Sequence, residues 1–153
     1  MRRTRLRSST ALGLPALLLG LPGRAAEQTL TLDPAATSVE WTLGATLHTV
    51  AGGARLVEGV VRFDADSGAA SGEIVVDAKS ASTGLALRDR NMHRDVLESG
   101  RHPRIVYRAE RLRVLRREAA GADVELEGVL EMHGKRRPLV LPTRIAARPR
   151  ATK

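Results

Sequence analysis

The stretch Val124-Glu-Leu126-Glu-Gly-Val-Leu130-Glu-Met132-His133-Gly134-Lys-Arg-Arg-Pro138-Leu139-Val-Leu141-Pro-Thr143-Arg-Ile145 decides the architecture. Val124, Leu126, Leu130 and Met132 alternate with Glu125, Glu127 and Glu131, and Leu139, Leu141, Thr143 and Ile145 continue the pattern after His133-Gly134. A period of two marks a strand with one buried face. Two such runs separated by two turn residues make an antiparallel hairpin.

The same pattern extends upstream. Val39, Trp41, Leu43, Ala45 and Leu47 alternate with Glu40, Thr42, Gly44, Thr46 and His48, which turns the odd face inward. Ala51-Gly52-Gly53 reads as a turn into a second strand, about 55 to 63, that places Val57, Val61 and Phe63 inside. Asp64-Ala-Asp66-Ser67-Gly68 has turn chemistry. Ile74, Val76 and Ala78 give a third strand with an apolar even face, and Ile105 and Tyr107 open a fourth that runs to about Arg113. A polar loop from Arg116 to Asp123 leads to the final hairpin, and Thr29–Leu32 makes a short seventh strand. The fold class is therefore all-β, an antiparallel meander that becomes a barrel or a strongly curled sheet. Whether its interior is a filled core or an apolar cavity is open on periodicity alone.

One segment breaks the strand rhythm, Asp77 to Pro103. Connections longer than about 12–15 residues inside a compact domain are usually functional or disordered. This one carries Leu85, Leu87, Met92, Val96 and Leu97, which an unfolded linker would lack, so it packs as a lid. Asn91 to Ser99 is predicted as two helical turns, with Asn91 as N-cap and Gly100 as C-cap.

The chain begins with Arg2, Arg3, Arg5 and Arg7, an apolar run from Ala11 to Leu21, and small residues at Ala25-Ala26. This is the pattern of an export signal over residues 1–26, too short for a permanent membrane anchor, and it implies a periplasmic or secreted protein. Residues 27–147 form the predicted domain and 148–153 a disordered tail. The leader holds five arginines and no acid, so its removal takes Lys+Arg from 25 to 20 against 17 acids and the net charge from +8 to +3. With only Trp41, Phe63 and Tyr107 as aromatics for stacking bases, nucleic acid is excluded as a partner. There is no cysteine, hence no disulfide framework and no thiolate metal site.

Four histidines, His48, His93, His102 and His133, lack His-x-x-x-His spacing, and no Gly-x-Ser-x-Gly elbow or Ser/His/Asp order is found. The reading is of a protein without catalytic residues, metal or cofactor. His102 precedes a proline and His133 sits in a turn, both bland roles. His48 and His93 are the pair a barrel mouth would bring together.

These residues resemble the YceI-like family. The likeness runs from about Leu32 to Ile145, through Asp33-Pro34, Ser38-Val39-Glu40-Trp41, His48-Thr49-Val50 and Glu58-Gly59-Val60-Val61-Arg62-Phe63-Asp64. It is sharpest in Ser80-x-x-Thr83-Gly84 and Arg88-Asp89-x-x-Met92. Leu97-Glu98 before His102-Pro103-x-Ile105, and Gly128-Val129-Leu130-x-x-His133-Gly134 before Pro138-Leu139, complete it.

The resemblance implies an exported, lipocalin-like antiparallel barrel with a helical lid segment, holding a polyisoprenoid or fatty-acyl lipid as its only ligand. In that family about two more strands follow the one resembling Pro138–Ala147. The barrel here is thus expected to be incomplete at its C-terminus, with a homodimer or a partner's strand as ways to cover the open edge. The implied lipid contacts on the strands are Trp41, Leu43, Leu47, Val61, Phe63, Ile74 and Val76, then Ile105, Tyr107, Leu130 and Leu139. Met92 and Leu97 join them from the lid. Arg88 either anchors the lid or meets an anionic head group bidentately. A small exported enzyme acting on such a lipid, and a strand-accepting interaction protein, are the alternatives to a non-catalytic carrier or store.

Overall fold

The computed structural model describes residues 27–44 and 49–146. The expected export segment, the tail from 148, Leu47 and His48 lie outside the described residues. Within them are β1 (Gln28–Leu32), β2 (Ser38–Gly44), β3 (Thr49–Phe63), β4 (Ala70–Ser82), β5 (Arg104–Glu118), β6 (Gly121–Met132) and β7 (Lys135–Ala146).

All pairings are antiparallel, in the order β1-β3-β4-β5-β6-β7, and β2 lies on the same edge of β3 as β1. The seven strands form one curled half-barrel, as the alternation predicts. Among the described residues β7 pairs only with β6, and β1 and β2 only with β3, so the sheet stays open.

The final hairpin matches its sequence signature. Met132 closes on Lys135, and His133 and Gly134 take φ of 52° and 67°, the two positive values that a type I′ turn needs. Asp64 builds the β3–β4 turn by accepting from the N–H groups of Asp66 and Ser67.

Curvature comes from extra residues. Val57 is inserted where the ladder steps from Leu56↔Val76 to Glu58↔Val75, and Glu110 and Leu115 are inserted in β5. Each bulge bends its strand and raises the local twist. Val57, expected inside, is consequently 50% exposed, and Leu56 takes the buried position.

The turn expected at 51–53 is instead strand. Gly52 pairs with Trp41 and Gly53 with Glu40. A Cβ at Gly52 would collide with the Trp41 indole, so this glycine makes room for a ring rather than a reversal. The lid helix also differs from its predicted bounds. An α-helix, α1 (Ala86–Asn91), runs straight into a π-helical turn at Met92–Val96, without side-chain capping by Asn91. The left-handed residue that ends it is Glu98, φ 43°, rather than Gly100.

One buried cluster organises the inner face: Val61, Phe63, Tyr107, Ala109, Leu112, Val124 and Leu126. The outer face is an ionic lattice in which Arg108 bridges Glu73 and Glu131, Arg136 joins Glu131, and Arg113 pairs with Glu125. Val75, on the odd-numbered face of β4 opposite the apolar even face, is fully buried at 0% exposure, between its ladder partners Glu58 and Val106.

Candidate functional site

Parity delivers the inner wall. Of the expected lipid contacts, Val61, Phe63 and Tyr107 lie in the buried cluster, and Ile74, Leu130 and Leu139 pack half-buried against it. Val76 and Ile105 are a half-buried ladder pair on β4 and β5. Trp41 and Leu43 share that parity on β2, where Trp41 covers Gly52 and Leu43 is 62% exposed. The centre of the wall is thus packed, and its margins remain accessible.

Tyr107 is the polar group in that centre. Its hydroxyl donates to the Leu126 carbonyl at 2.7 Å and reaches the Leu139 carbonyl at 3.3 Å, tying β5 to β6 and β7. Burial pushes its pKa up, with Glu110 and Glu127 adding in the same direction. The phenol is therefore a fixed donor, unsuited to proton transfer near neutral pH.

The lid is fastened at its entry by a closed set of hydrogen bonds. The Asp89 carboxylate accepts from the Thr83 N–H (2.8 Å), the Thr83 hydroxyl (2.5 Å) and the Ser82 hydroxyl (2.7 Å). These bonds, those from Thr83 first, hold the Asp89 carboxyl below the usual aspartate range. Arg88 donates from Nε to the Thr83 hydroxyl and from Nη2 to the Thr83 carbonyl. Two of its nitrogens are therefore committed to the lid anchor. Ser80 mends the adjoining ladder irregularity, accepting from the Arg55 N–H and donating to the Asp77 carbonyl, which gives the Ser80-x-x-Thr83-Gly84 motif a physical reason.

Further along, His93 joins the lid to β4. Its Nε2 meets the Ala81 carbonyl at 2.9 Å, so that nitrogen carries the proton and Nδ1 accepts from the Ser99 hydroxyl at 2.9 Å. Met92 and Leu97 are half-buried, and Leu85, Leu87 and Val96 face outward.

Where the lid approaches the β6–β7 hairpin, a cleft of about 280 Å³ is lined by Val96, Leu130, Met132, His133, Lys135 and Arg137. The hairpin register puts Lys135 beside Met132 and Arg137 beside Leu130, so two cations flank an apolar floor on one face. Of these six residues the sequence reading named only Leu130 as a ligand contact. Counting outward from the His133-Gly134 turn, which sets Lys135 opposite Met132 and Arg137 opposite Leu130, is the signal that finds them.

The structure also brings together Glu98, His102 and His133, each offering one possible ligand atom within 4.8 Å of the other two. The sequence reading gave the two histidines separate turn and pre-proline roles, and the structure sets them side by side. The segment before Pro103 meets the hairpin tip, a contact between residues about thirty apart in sequence.

The YceI-like domain model matches residues 30–152. Among solved structures, BcnA from Burkholderia cenocepacia is similar with a TM-score of 0.55 and 18% identity, over 72% of this chain and 68% of that one. A polyisoprenoid-binding domain from Saccharophagus degradans, implicated in plant cell wall breakdown, is similar with a TM-score of 0.48 and 19% identity, over 80% and 67%. No curated protein matches. The likeness to BcnA is one of fold. With four-fifths of its length covered by the family pattern, the chain belongs to the YceI-like family.

Proposed function

We propose that this is a non-catalytic binding protein, exported from the cell, that holds a polyisoprenoid or fatty-acyl lipid along its inner face for transport or storage. One observation carries the reading. An apolar wall whose centre, Val61 to Leu126, is packed keeps accessible margins at Trp41, Leu43 and Leu139 and ends in a cleft whose apolar floor lies beside Lys135 and Arg137. That arrangement fits an amphiphile. The hydrocarbon gains about 0.8 kcal/mol per buried methylene, and the two cations suit an anionic head.

The cleft alone, at about 280 Å³, lies at the lower end of small-molecule sites, which run from about 300 to 1,000 Å³. It accommodates one end of a long chain, and the remainder would lie along the accessible margin of the inner wall. Export is supported by the arginine-led apolar leader, and the absence of chemistry by an inner wall whose tyrosine is already spent on two carbonyls.

The test is an organic extract of protein purified from a bacterial expression host, analysed by mass spectrometry. A long-chain species near one equivalent is expected. Folded protein that yields no lipid and takes up neither a prenyl phosphate nor a fatty-acid probe would overturn the reading.

A further inference from the structure

We propose that Glu98, His102 and His133 form a binding site for one divalent transition-metal ion of the zinc class, clamping the end of the lid to the β6–β7 hairpin. Each residue offers one ligand atom, and the three atoms lie within 4.8 Å of one another. Glu98 Oε2 is 3.1 Å from His133 Nε2 and 3.9 Å from His102 Nε2. Zinc binds imidazole nitrogen and carboxylate oxygen at about 2.0–2.2 Å, which sets neighbouring ligands of a tetrahedron roughly 3.3 Å apart. The two separations bracket that value.

Direction is the second argument. Among the described residues, His133 Nε2 is the one enclosed side-chain polar atom that makes no hydrogen bond, although the Glu98 carboxylate is within bonding distance. The nitrogen and the oxygen are close but not aimed at each other. Ligands of a shared ion have this relation, because their lone pairs converge on a point between them. A simple histidine–carboxylate pair would instead have aligned its N–H, since an unpaired buried polar group costs about 1–3 kcal/mol.

Backbone strain is the third. The two non-glycine residues with positive φ among those described are Glu98 at 43° and His133 at 52°, both members of this cluster. The type I′ turn accounts for His133, so the strain that needs a reason is that of Glu98, because a left-handed conformation is costly for glutamate and such outliers gather at functional sites. The rings of His102 and His133 meet edge to face at 5.0 Å, and a Cβ at Gly134 would come within 3.1 Å of the His102 ring. Glycine at 134 therefore leaves the second imidazole its place.

Two imidazoles and one carboxylate suit zinc and its transition-metal neighbours, whereas magnesium and calcium prefer all-oxygen shells. Three protein ligands leave a fourth position for water. The site lies between the cleft of Val96 and Met132, which His133 lines, and a second cleft of about 230 Å³ lined by Glu98, His93 and Arg101. An ion there is reachable from solvent, and it would cross-link the lid's exit to the mouth of the first cleft.

The experiment is calorimetric titration of the tag-free chain with zinc chloride, alongside thermal melts with and without the ion. Expected are one equivalent bound and a melting temperature raised by about 5 °C in excess zinc. Glu98→Gln and His102→Ala should each weaken binding at least tenfold and abolish the shift, while Glu40→Gln, on the exposed side of β2, behaves as wild type. His133→Asn tolerates the left-handed backbone and provides a third ligand deletion. No zinc binding, an equal response to magnesium chloride, or undiminished zinc binding in both Glu98→Gln and His102→Ala would overturn the assignment.

Discussion

Trp41 and Gly52 face each other across the β2–β3 ladder, and the indole occupies the volume that any side chain at position 52 would need. The Ser82 carbonyl, 2.8 Å from the same point, closes the other side. Gly52→Ala must therefore displace a ring and a backbone at once. A loss of about 1–3 kcal/mol is expected, the usual range for overpacking. Urea unfolding with tryptophan fluorescence checks it, because the reporter is the displaced residue.

Asp89 makes the lid sensitive to acid. Its folded pKa is held low by the Thr83 and Ser82 bonds, so ionised Asp89 stabilises the fold fully above the ordinary aspartate range, and that contribution is lost as pH falls through the lowered folded value. Asp89→Asn should melt below wild type at neutral pH and converge with it under strong acid. Parallel melts between pH 2 and 7 give the comparison; a constant gap would deny the carboxylate this role.

Arg88 belongs to the same anchor. Arg88→Ala removes two bonds to Thr83 and should lower the melting temperature along with Asp89→Asn, whichever ligand is present. Lipid loss without any loss of stability would restore the guanidinium to a head-group role. Differential scanning calorimetry with lipid quantification on the same samples decides.

Tyr107→Phe leaves the Leu126 carbonyl without its buried donor, at a cost of about 1–2 kcal/mol, while the ring continues to fill the cluster. Chemical denaturation measures it, and the slope with denaturant should not change.

Lys135→Ala with Arg137→Ala should weaken binding of a fatty-acid or prenyl-phosphate probe while sparing an uncharged prenol. Competition fluorescence with the matched pair of probes separates head group from tail. Equal weakening of both would mean that the cations act through the packing of the cleft.

Much of the fold was legible because a half-buried strand writes its two faces into alternate residues, and Val124–Ile145 does so without interruption. The misreadings have local causes. Gly52-Gly53 carries a turn's composition, yet Gly52 serves the Trp41 ring; the bulge at Val57 breaks parity in mid-strand; and Val75 is buried on the outer face. The inner wall was readable for the same reason as the strands. Glu98, His102 and His133 were not, since no local spacing marks a loop meeting a hairpin tip.

Among the described residues, the edge of β7 away from β6 pairs with no strand. Closing the hairpin at Met132 and Lys135 points the odd-numbered amides of β7 toward β6 and the even-numbered ones outward, where Pro138 and Pro142 have no N–H to offer. A neighbouring chain seeking to dock there finds a row with missing teeth, hemmed by Arg136 and Arg144. Such an edge offers a further strand fewer donors than an unbroken one would.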